Sequence, residues 1–350
     1  MRVDFAYPNP RAGLASAIAN GVAPDTGLLG QNHLTEHGVD ARIQDSRLRR
    51  RTRLPGVAHR VTWLARELSV PFESSGADVI VTPLGTLLPL ASRVRRGPKT
   101  VVLNINLCTA LRRLRGLRRQ VLVASLRSAD AIVCLAEAQR NLLLKQVRLD
   151  SAKVHLVLLG VDDAFYSPAL GAAEPNVLAV GRDEGRDYAT LARALRSLDV
   201  EATVVASERN VRGIEFPSNV RIELDVSPIR LRELYGRATC VVVPTRAREF
   251  DRGADCSGQT VLLDAMAMGR ATVVTHRSTL DDYIDRDKTA VVVSAESAHE
   301  LEDGIRRVLE DGDLRNRLER EGRARVEREH TTRLFASRLV PILEEVACAP

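Results

Sequence analysis

At 350 residues the chain is long enough for two domains and too long for one ordinary hydrophobic core. It is 45% hydrophobic and 27% charged with a net charge of +6, which indicates a folded globular protein and excludes wholesale disorder. Aromatic residues make up only 3%, so basicity would be the whole case for a nucleic-acid binder, and we do not expect one. No apolar run approaches the ~18 residues of a membrane span, and the first residues lack a signal-peptide pattern. We therefore expect a cytoplasmic protein.

The first half of the chain alternates apolar, β-branched runs with longer polar segments. These runs are RVDFAY (2–7), ADVIVTP (77–83), KTVVLN (99–104), ADAIVCL (129–135) and KVHLVLLG (153–160). Each run has the length and composition of a buried strand. The first half therefore predicts a sheet, although long insertions interrupt its rhythm.

Arginine-rich segments make the first half basic. Residues 1–170 carry 24 basic and 13 acidic residues, whereas residues 171–350 carry 27 and 32. The excess lies mostly in RLRRRTR (47–53), RVRR (93–96) and RRLRGLRR (112–119), which alternate arginine with leucine or valine. We favour a solvated surface, because charge runs usually face water. Peripheral contact with the anionic inner face of a membrane, or with another polyanion, is the alternative.

The second half has a clearer rhythm of strands and helices. Its apolar runs are NVLAVG (176–181), ATVVAS (202–207), VRIEL (220–224), CVVVP (240–244), ATVVT (271–275) and AVVV (290–293). Strands that are apolar throughout and alternate with helices are typical of a parallel sheet covered on both faces. The second half therefore predicts a doubly wound α/β domain.

A domain boundary is predicted at GVDDAFYSPALGAAEPN (160–176), where the strand pattern stops and small residues and prolines accumulate. We expect two Rossmann-like α/β domains in tandem, residues 1–165 and 166–331, with a ligand cleft between them. Two helices should follow residue 295. A last helix at 332–350, interrupted by Pro341, should complete the first domain.

Cysteines and histidines do not indicate a metal site. The five cysteines are widely spaced and include no C-x-x-C pair: Cys108, Cys134, Cys240, Cys256 and Cys348. We interpret them as reduced thiols. His33 and His37 stand four apart, but no third ligand accompanies them. We expect neither a bound metal nor a cofactor.

The segment CSGQTVLLDAMAMG (256–269) carries one acid, Asp264, in a helix that is otherwise built to be buried. It follows the strand CVVVP, and in doubly wound sheets ligands bind beyond such strand ends. Ser257 is the expected N-cap, and the N–H groups of Gly258, Gln259 and Thr260 would face an anion or a sugar hydroxyl. Asp264 should meet a polar partner, because an unpaired carboxylate is costly to bury.

These residues also carry a family resemblance. SGQTVLLDAMAMGRATVVT (257–275) resembles the nucleotide-sugar site of retaining GT-B glycosyltransferases of family 4, the glycosyl transferases group 1. The segment at 160–165 resembles their hinge motif, and AVGRDEGRDYATLARAL (179–195) resembles the strand, basic loop and helix that open their second domain. The resemblance covers most of residues 150–330, and the first half only in outline.

The resemblance implies roles for individual residues. Asp264 would bind the ribose of the donor, and Arg182 with Arg186, in the loop after Gly181, would neutralise its diphosphate. The donor sugar would contact the backbone at Ser257, Gly258, Gln259 and Thr260. In the first domain, Gly27 would allow close approach of the donor phosphates, and QNHLTEHGVDAR (31–42) would form the first helix that faces them. Guanidinium groups suit phosphate oxygens, which supports this division of roles.

The chain departs from the family pattern at three positions. The first acid of the usual pair falls on Cys256, so Asp255 is our candidate for a surrogate catalytic acid. Glu249 and Asp251 lie in the same loop. The usual second acid is glutamate, whereas this chain has Asp264. Where a lysine usually follows the arginine by five positions, this chain has Asp187.

The implied function is transfer of a sugar from a nucleotide diphosphate sugar to an acceptor hydroxyl, with retention at the anomeric carbon. The acceptor, a glycan, a lipid or a small molecule, would bind mainly to the first domain. Two alternatives stay open. One is a sugar-nucleotide epimerase of the same fold, and the other is a catalytically silent relative that binds nucleotide or glycan.

Overall fold

The computed structural model describes residues 1–45, 57–83, 86–168, 174–247 and 253–349, and the chain divides into two compact units. The N-terminal unit comprises residues 1–19, 27–158 and 333–350, and the C-terminal unit comprises residues 20–26 and 159–332. The basic segment 47–53 and the acids Glu249 and Asp251 lie outside the described residues.

The N-terminal unit contains a parallel sheet with six strands among its described residues, in the order β2-β1-β3-β4-β5-β6. The strands are β1 (Arg2–Phe5), β2 (Asp40–Ile43), β3 (Val79–Thr82), β4 (Lys99–Asn104), β5 (Ala131–Cys134) and β6 (Val154–Leu156). The helices are α1 (Ala12–Ala19), α2 (Val57–Glu73), α3 (Leu88–Val94), α4 (Leu107–Arg113), α5 (Gly116–Ser128), α6 (Glu137–Val147) and α13 (Thr332–Cys348). Strands β3 and β5 are buried throughout, as their apolar runs predict.

The segment between β1 and α2 differs from the sequence expectation. A helix over QNHLTEHGVDAR (31–42) was the prediction, but the segment forms a 3-10 helix at Gln31–His37 that ends at Gly38, where φ is 74°. Residues 40–43 then form β2, which pairs in parallel with β1 at the edge of the sheet. Its residues alternate between exposed and half-buried, so no apolar run marks this strand.

The C-terminal unit contains a second parallel sheet, with six described strands in the order β12-β11-β10-β7-β8-β9. The strands are β7 (Glu174–Val180), β8 (Glu201–Ala206), β9 (Val220–Leu224), β10 (Ala238–Val243), β11 (Ala271–Thr275) and β12 (Val291–Val293). The helices are α7 (Tyr188–Leu195), α8 (Glu208–Val211), α9 (Pro228–Arg237), α10 (Gln259–Ala267), α11 (Ala298–Glu310) and α12 (Gly312–Glu329). The two doubly wound sheets confirm the predicted fold class.

One hydrophobic core of the C-terminal unit lies between its sheet and helices α7 and α11. Leu191 and Leu195 of α7 lie in the same cluster as Leu301 and Ile305 of α11. Each pair is four residues apart and therefore on one face of its helix. This packing holds the strands whose carboxyl ends form the candidate site described below.

Neither unit is one continuous segment of the chain. Residues 159–165 belong to the C-terminal unit, so the N-terminal unit ends at Leu158 rather than at residue 165. The Val161 N–H donates to the His330 carbonyl (2.8 Å). Asp162 binds the segment 20–26, because its Oδ2 accepts from the Asp25 N–H (2.9 Å). Helix α13 belongs to the N-terminal unit, together with residues 27–158.

Helices, acidic clusters and cysteines of the described residues bear on membrane, metal and disulfide chemistry. None of the helices there is long and apolar enough to cross a bilayer. The same residues contain no cluster of three or more His, Cys, Asp or Glu side chains that could hold a metal ion. None of the five cysteines, all of which are described, forms a disulfide bond.

The core between α7 and the sheet yields a stability prediction. Leu191→Ala removes a fully buried side chain and should lower the free energy of unfolding by about 2–5 kcal/mol. The matched change Leu224→Ala, at the partly exposed end of β9, should change it by less than about 1 kcal/mol. Urea denaturation followed by circular dichroism measures both. Equal effects of the two substitutions would contradict this account of the core.

Candidate functional site

The candidate site lies at the carboxyl ends of β7 and β10, which are neighbours in the C-terminal sheet. Backbone hydrogen bonds join the loops that follow these two strands. The Asp187 N–H donates to the Pro244 carbonyl (2.9 Å), and the Arg246 N–H donates to the Gly185 carbonyl (2.8 Å). These bonds fix the two loops to each other at the edge of the sheet where doubly wound folds bind ligands.

Arg186 lies in the loop that follows β7, at the carboxyl ends of the strands. Its side chain is only 6% exposed, and its Nε and Nη1 have no hydrogen-bond partner in the part of the chain that the structure describes. No carboxylate there lies within ion-pair distance of it. Buried charges are normally paired, because removing an ion from water is expensive. The guanidinium is therefore available to an anion.

Two glycines lie beside this guanidinium. Gly181 has φ 150°, and a Cβ at this position would clash with Nε of Arg186. Gly258 has φ 100°, and a Cβ there would lie 3.5 Å from Nη1 and 3.0 Å from a methyl group of Val243. Both backbone conformations favour glycine. The buried guanidinium therefore requires glycine at position 181, whereas the backbone conformation and Val243 require it at position 258.

Helix α10 begins next to Arg186. Gly258 is its N-cap residue, and no side chain caps this end. The hydroxyl of Ser257 is buried without a partner among the described residues, and Gln259 donates its Nε2 to the Thr279 carbonyl (2.8 Å). Thr260 is exposed. A helix N-terminus carries free N–H groups and a partial positive charge, so it attracts the same anion as Arg186.

Arg182 does not share this environment. Its side chain is half exposed and forms an ion pair with Asp225, in the loop after β9, with 3.2 Å between Nη2 and Oδ1. Asp187, which stands at the position of the family's lysine, caps α7 instead. Its Oδ1 accepts from the Thr190 N–H (3.2 Å) and its Oδ2 from the Thr190 hydroxyl (2.7 Å).

Asp264 lies in the second turn of α10 and is almost completely buried. Its Oδ1 has no hydrogen-bond partner among the described residues. Burial raises the pKa of Asp264 well above its usual value, and the nearby charge of Asp162 raises it further. Tyr166 and Tyr235 lie close enough for Asp264 to raise the pKa of both phenols, after the larger effect of burial. The side chain is therefore poised to accept or donate a hydrogen bond that the protein itself does not supply.

Arg277 is a site residue that the sequence analysis missed. Its side chain is buried, and its Nη2 donates to the carbonyls of Ala254 (3.3 Å) and Asp255 (3.2 Å), while its Nη1 donates to that of Arg246 (3.3 Å). Burial lowers the pKa of Arg277, and the neighbouring Cys256 and Asp255, among other groups, partly offset this effect. The sequence could have pointed to Arg277, because it follows the end of β11 by two residues and loops after strand ends collect ligand-binding residues.

Asp255, the predicted surrogate acid, is also buried. Its backbone carbonyl accepts from Arg277 and from the Thr279 hydroxyl (3.2 Å). Gly27 belongs to the N-terminal unit and lies within a 3-10 turn at Asp25–Leu28, where a Cβ would lie 2.9 Å from the side chain of Leu14. The structure thus brings five of the predicted site residues together at the carboxyl ends of neighbouring strands: Gly181, Arg186, Ser257, Gly258 and Gln259.

Comparison with known proteins shows which sequences and folds this chain is similar to. Residues 210–325 match the sequence model of the family described as "Glycosyl transferases group 1". No curated protein sequence matches the chain. Among solved structures, the chain is similar to sucrose-phosphate synthase from Thermosynechococcus elongatus, with a TM-score of 0.76 and 16% identity over 100% of both chains.

Two further structures show the same likeness. A glycosyltransferase from Rickettsia africae has a TM-score of 0.69 and 13% identity, with 100% of this chain and 99% of that chain covered. Anabaena HepE in complex with UDP-glucose has a TM-score of 0.71 and 12% identity, with 99% and 100% covered. The chain has the GT-B fold. In this GT-B protein, the second Rossmann-like unit supplies Arg186, Asp264 and the N-terminus of α10.

The buried carboxyl group predicts a pH effect on stability. Because the pKa of Asp264 is raised on folding, the folded protein holds this proton more tightly than the unfolded chain, whose aspartates titrate near pH about 4. The contribution of Asp264 to stability is therefore lost as the pH rises above about 4. Asp264→Asn should gain free energy of unfolding relative to the unchanged protein as the pH increases toward neutrality.

Urea denaturation at a series of pH values measures this difference. Asp199→Asn, at an exposed position after α7, is the matched control, and its difference should not change with pH. A stability difference for Asp264→Asn that stays constant or falls with rising pH would contradict the raised pKa.

Proposed function

We propose that the protein is a glycosyltransferase that moves a sugar from a nucleotide diphosphate sugar to an acceptor hydroxyl. The observation that carries this proposal is the buried guanidinium of Arg186, which has no carboxylate partner among the described residues and lies next to the N-terminus of α10. A diphosphate supplies the negative charge that this pair of groups attracts. The group 1 match at residues 210–325 supports the same reaction class.

Arg186 would also favour the chemical step. The bond between the anomeric carbon and the diphosphate oxygen breaks, and the leaving diphosphate gains negative charge in the transition state. A guanidinium already held in a buried, low-dielectric position stabilises that charge without reorganisation. We propose that the leaving oxygen takes the proton of the acceptor hydroxyl, so the acceptor oxygen bonds to the anomeric carbon with retention of configuration. NMR of the product anomer tests this retention.

Asp264 is proposed to bind the ribose of the donor. Its Oδ1 is buried without a hydrogen-bond partner among the described residues, and a ribose hydroxyl would provide one. Arg182, half exposed and paired with Asp225, would contribute only if a ligand displaced that ion pair. We therefore assign the main phosphate-binding role to Arg186 and a lesser one to Arg182. Asp255 stays our candidate for an acid near the donor sugar.

Substitution of Arg186 tests the proposed function. Arg186→Gln removes a buried cation to which the described part of the chain offers no carboxylate, so the variant should fold and keep its melting temperature. It should lose the rise in melting temperature that a matching UDP-, GDP- or ADP-sugar gives the unchanged protein. Transfer, measured as kcat/KM, should fall by about 100-fold or more.

Arg212→Gln is the matched control, because Arg212 is an exposed arginine of the same unit, paired with Glu208. It should leave binding and transfer unchanged. A protein whose melting temperature responds to none of these nucleotide sugars would contradict the proposal. Epimers formed from a nucleotide sugar without acceptor would favour the epimerase alternative, and binding without transfer would favour the silent relative.

We also propose peripheral contact with an anionic membrane through a patch on α2 and α3. The exposed residues of this α2–α3 patch are Leu68, Phe72, Arg93, Val94, Arg95 and Arg96. The guanidinium of Arg95 lies 3.3 Å from the centre of the Phe72 ring, which joins the two helices into one surface. Apolar side chains among arginines fit the boundary between acyl chains and anionic head groups.

Flotation with lipid vesicles tests the α2–α3 patch. The protein should bind vesicles that contain phosphatidylglycerol and not pure phosphatidylcholine, and added salt should weaken the binding. Phe72→Ser with Val94→Ser should reduce it, whereas Leu224→Ser, at an exposed leucine of the C-terminal unit, should not. Equal binding to both vesicle types, or no effect of the double change, would contradict this contact.

A further inference from the structure

A second candidate ligand site lies beside Arg186, beyond the carboxyl ends of β11 and β12. It is a cavity of about 400 Å³ in the C-terminal unit. Its lining residues are Ala247, His276, Arg277, Ser278, Arg286, Val292, Val293, Ser294, Ala295 and Glu300. The volume is that of a small-molecule site, and three of the side chains that line it are basic.

Arg277 provides the one buried charge of this lining. The carbonyl groups that accept its Nη1 and Nη2 are neutral, so they satisfy hydrogen bonds without balancing the charge. Its Nε has no partner, and no carboxylate lies within ion-pair distance of its guanidinium, in the parts of the chain described above. Arg277 therefore carries a buried charge that calls for an anion.

Burial lowers the pKa of Arg277, the charges of Cys256, Asp183 and Asp255 partly offset this effect, and the charge of Arg186 adds a smaller lowering effect. Among the described residues no carboxylate lies within ion-pair distance of either guanidinium, so a nearby negative charge would stabilise each of them. A diphosphate at Arg186 would supply one anion, and a second anionic group of the same ligand would suit Arg277.

The distance between the strand ends that precede Arg186 and Arg277 matches the length of a sugar attached to a diphosphate. Arg186 follows β7, the neighbour of β10, and Arg277 follows β11 on the other side of β10. Adjacent strands lie about 4.8 Å apart, so the carboxyl ends of β7 and β11 lie about 10 Å apart. A hexose attached to a diphosphate would extend over this distance, toward the cavity.

Two acidic groups near the cavity are exposed to solvent. Glu300 accepts the Ser294 N–H at its Oε2 (2.8 Å), and Asp281 pairs with His276, with 3.1 Å between Oδ1 and Nε2. Ser278 and Arg286 add polar groups at the lining. Arg277 is therefore the charged group of the lining that is removed from water.

From these contacts we infer that the donor sugar carries a carboxylate, as in a uronic acid, and that Arg277 binds this carboxylate. The inference rests on the proposed function, because it places the sugar of the same nucleotide donor in the cavity. A guanidinium binds a carboxylate through paired hydrogen bonds, so Arg277 would act as a specificity-determining residue.

Matched donors test this specificity by calorimetry without any acceptor. The two pairs are UDP-glucose with UDP-glucuronate and GDP-mannose with GDP-mannuronate. In at least one pair the acid should bind about ten- to hundredfold more tightly than the neutral sugar, the range expected for a charge-assisted hydrogen bond. Arg277→Gln should abolish this preference and leave the Kd of the neutral sugar within about threefold. Arg277→Lys should retain part of it.

Cys256→Glu provides a second variant in case loss of the Arg277 hydrogen bonds disturbs the loop 253–255. This substitution leaves the Arg277 side chain and its hydrogen-bonding groups in place, and it adds a negative charge at a residue that interacts electrostatically with Arg277. This variant should also lose the preference for the acid. Arg212→Gln should retain it.

The outcomes separate this inference from the proposed function. If the neutral donor binds as tightly as the acid, or more tightly, in both pairs, the inference is overturned and the glycosyltransferase proposal stands. Equal loss of both donors in Arg277→Gln, with the fold intact, would assign Arg277 to the diphosphate and would also overturn the inference. Binding of none of the four donors would contradict both proposals.

Discussion

The arrangement of the site depends on one buried charge, the guanidinium of Arg186, which no carboxylate among the described residues balances. Space for it requires Gly181, and the neighbouring Gly258 also has a backbone conformation that favours glycine. The bonded loops after β7 and β10 keep it in place, and the N-terminus of α10 adds charge of the same sign. The free protein therefore bears a desolvation cost that a bound anion relieves, which couples ligand binding to the electrostatics of the fold.

The sequence predicted most of the C-terminal unit because its central strands are buried on both faces and therefore read as apolar runs. Strand β2 could not be found in this way, since Asp40 and Arg42 point outward at a sheet edge and pair with each other. The 3-10 helix before β2, Gln31–His37, was also not predictable from local sequence. Glycine at position 38 stops a helical turn that the local pattern would have extended. Edge strands and short turns depend on neighbours that lie far away in sequence.

The position of the candidate site was predictable, but its internal geometry was not. Arg186 and Gly258 could be located because they follow strand ends, where parallel sheets collect ligand-binding loops. The direction of Arg182 depends on Asp225, which is 43 positions away. The burial of Arg277 likewise depends on carbonyl groups at 246, 254 and 255. Local sequence therefore identified the loops, whereas contacts between loops decided which arginine is exposed and which is buried.

The division of each unit into separate segments has a consequence for synthesis on the ribosome. Residues 20–26 emerge early, yet their partner Asp162 is made more than one hundred residues later. Helix α13, the last element of the chain, belongs to the unit that begins first. The N-terminal unit therefore lacks its α13 segment until the whole of the segment 159–332 has been translated. The half that is translated second is thus the first to have its full set of strands and helices.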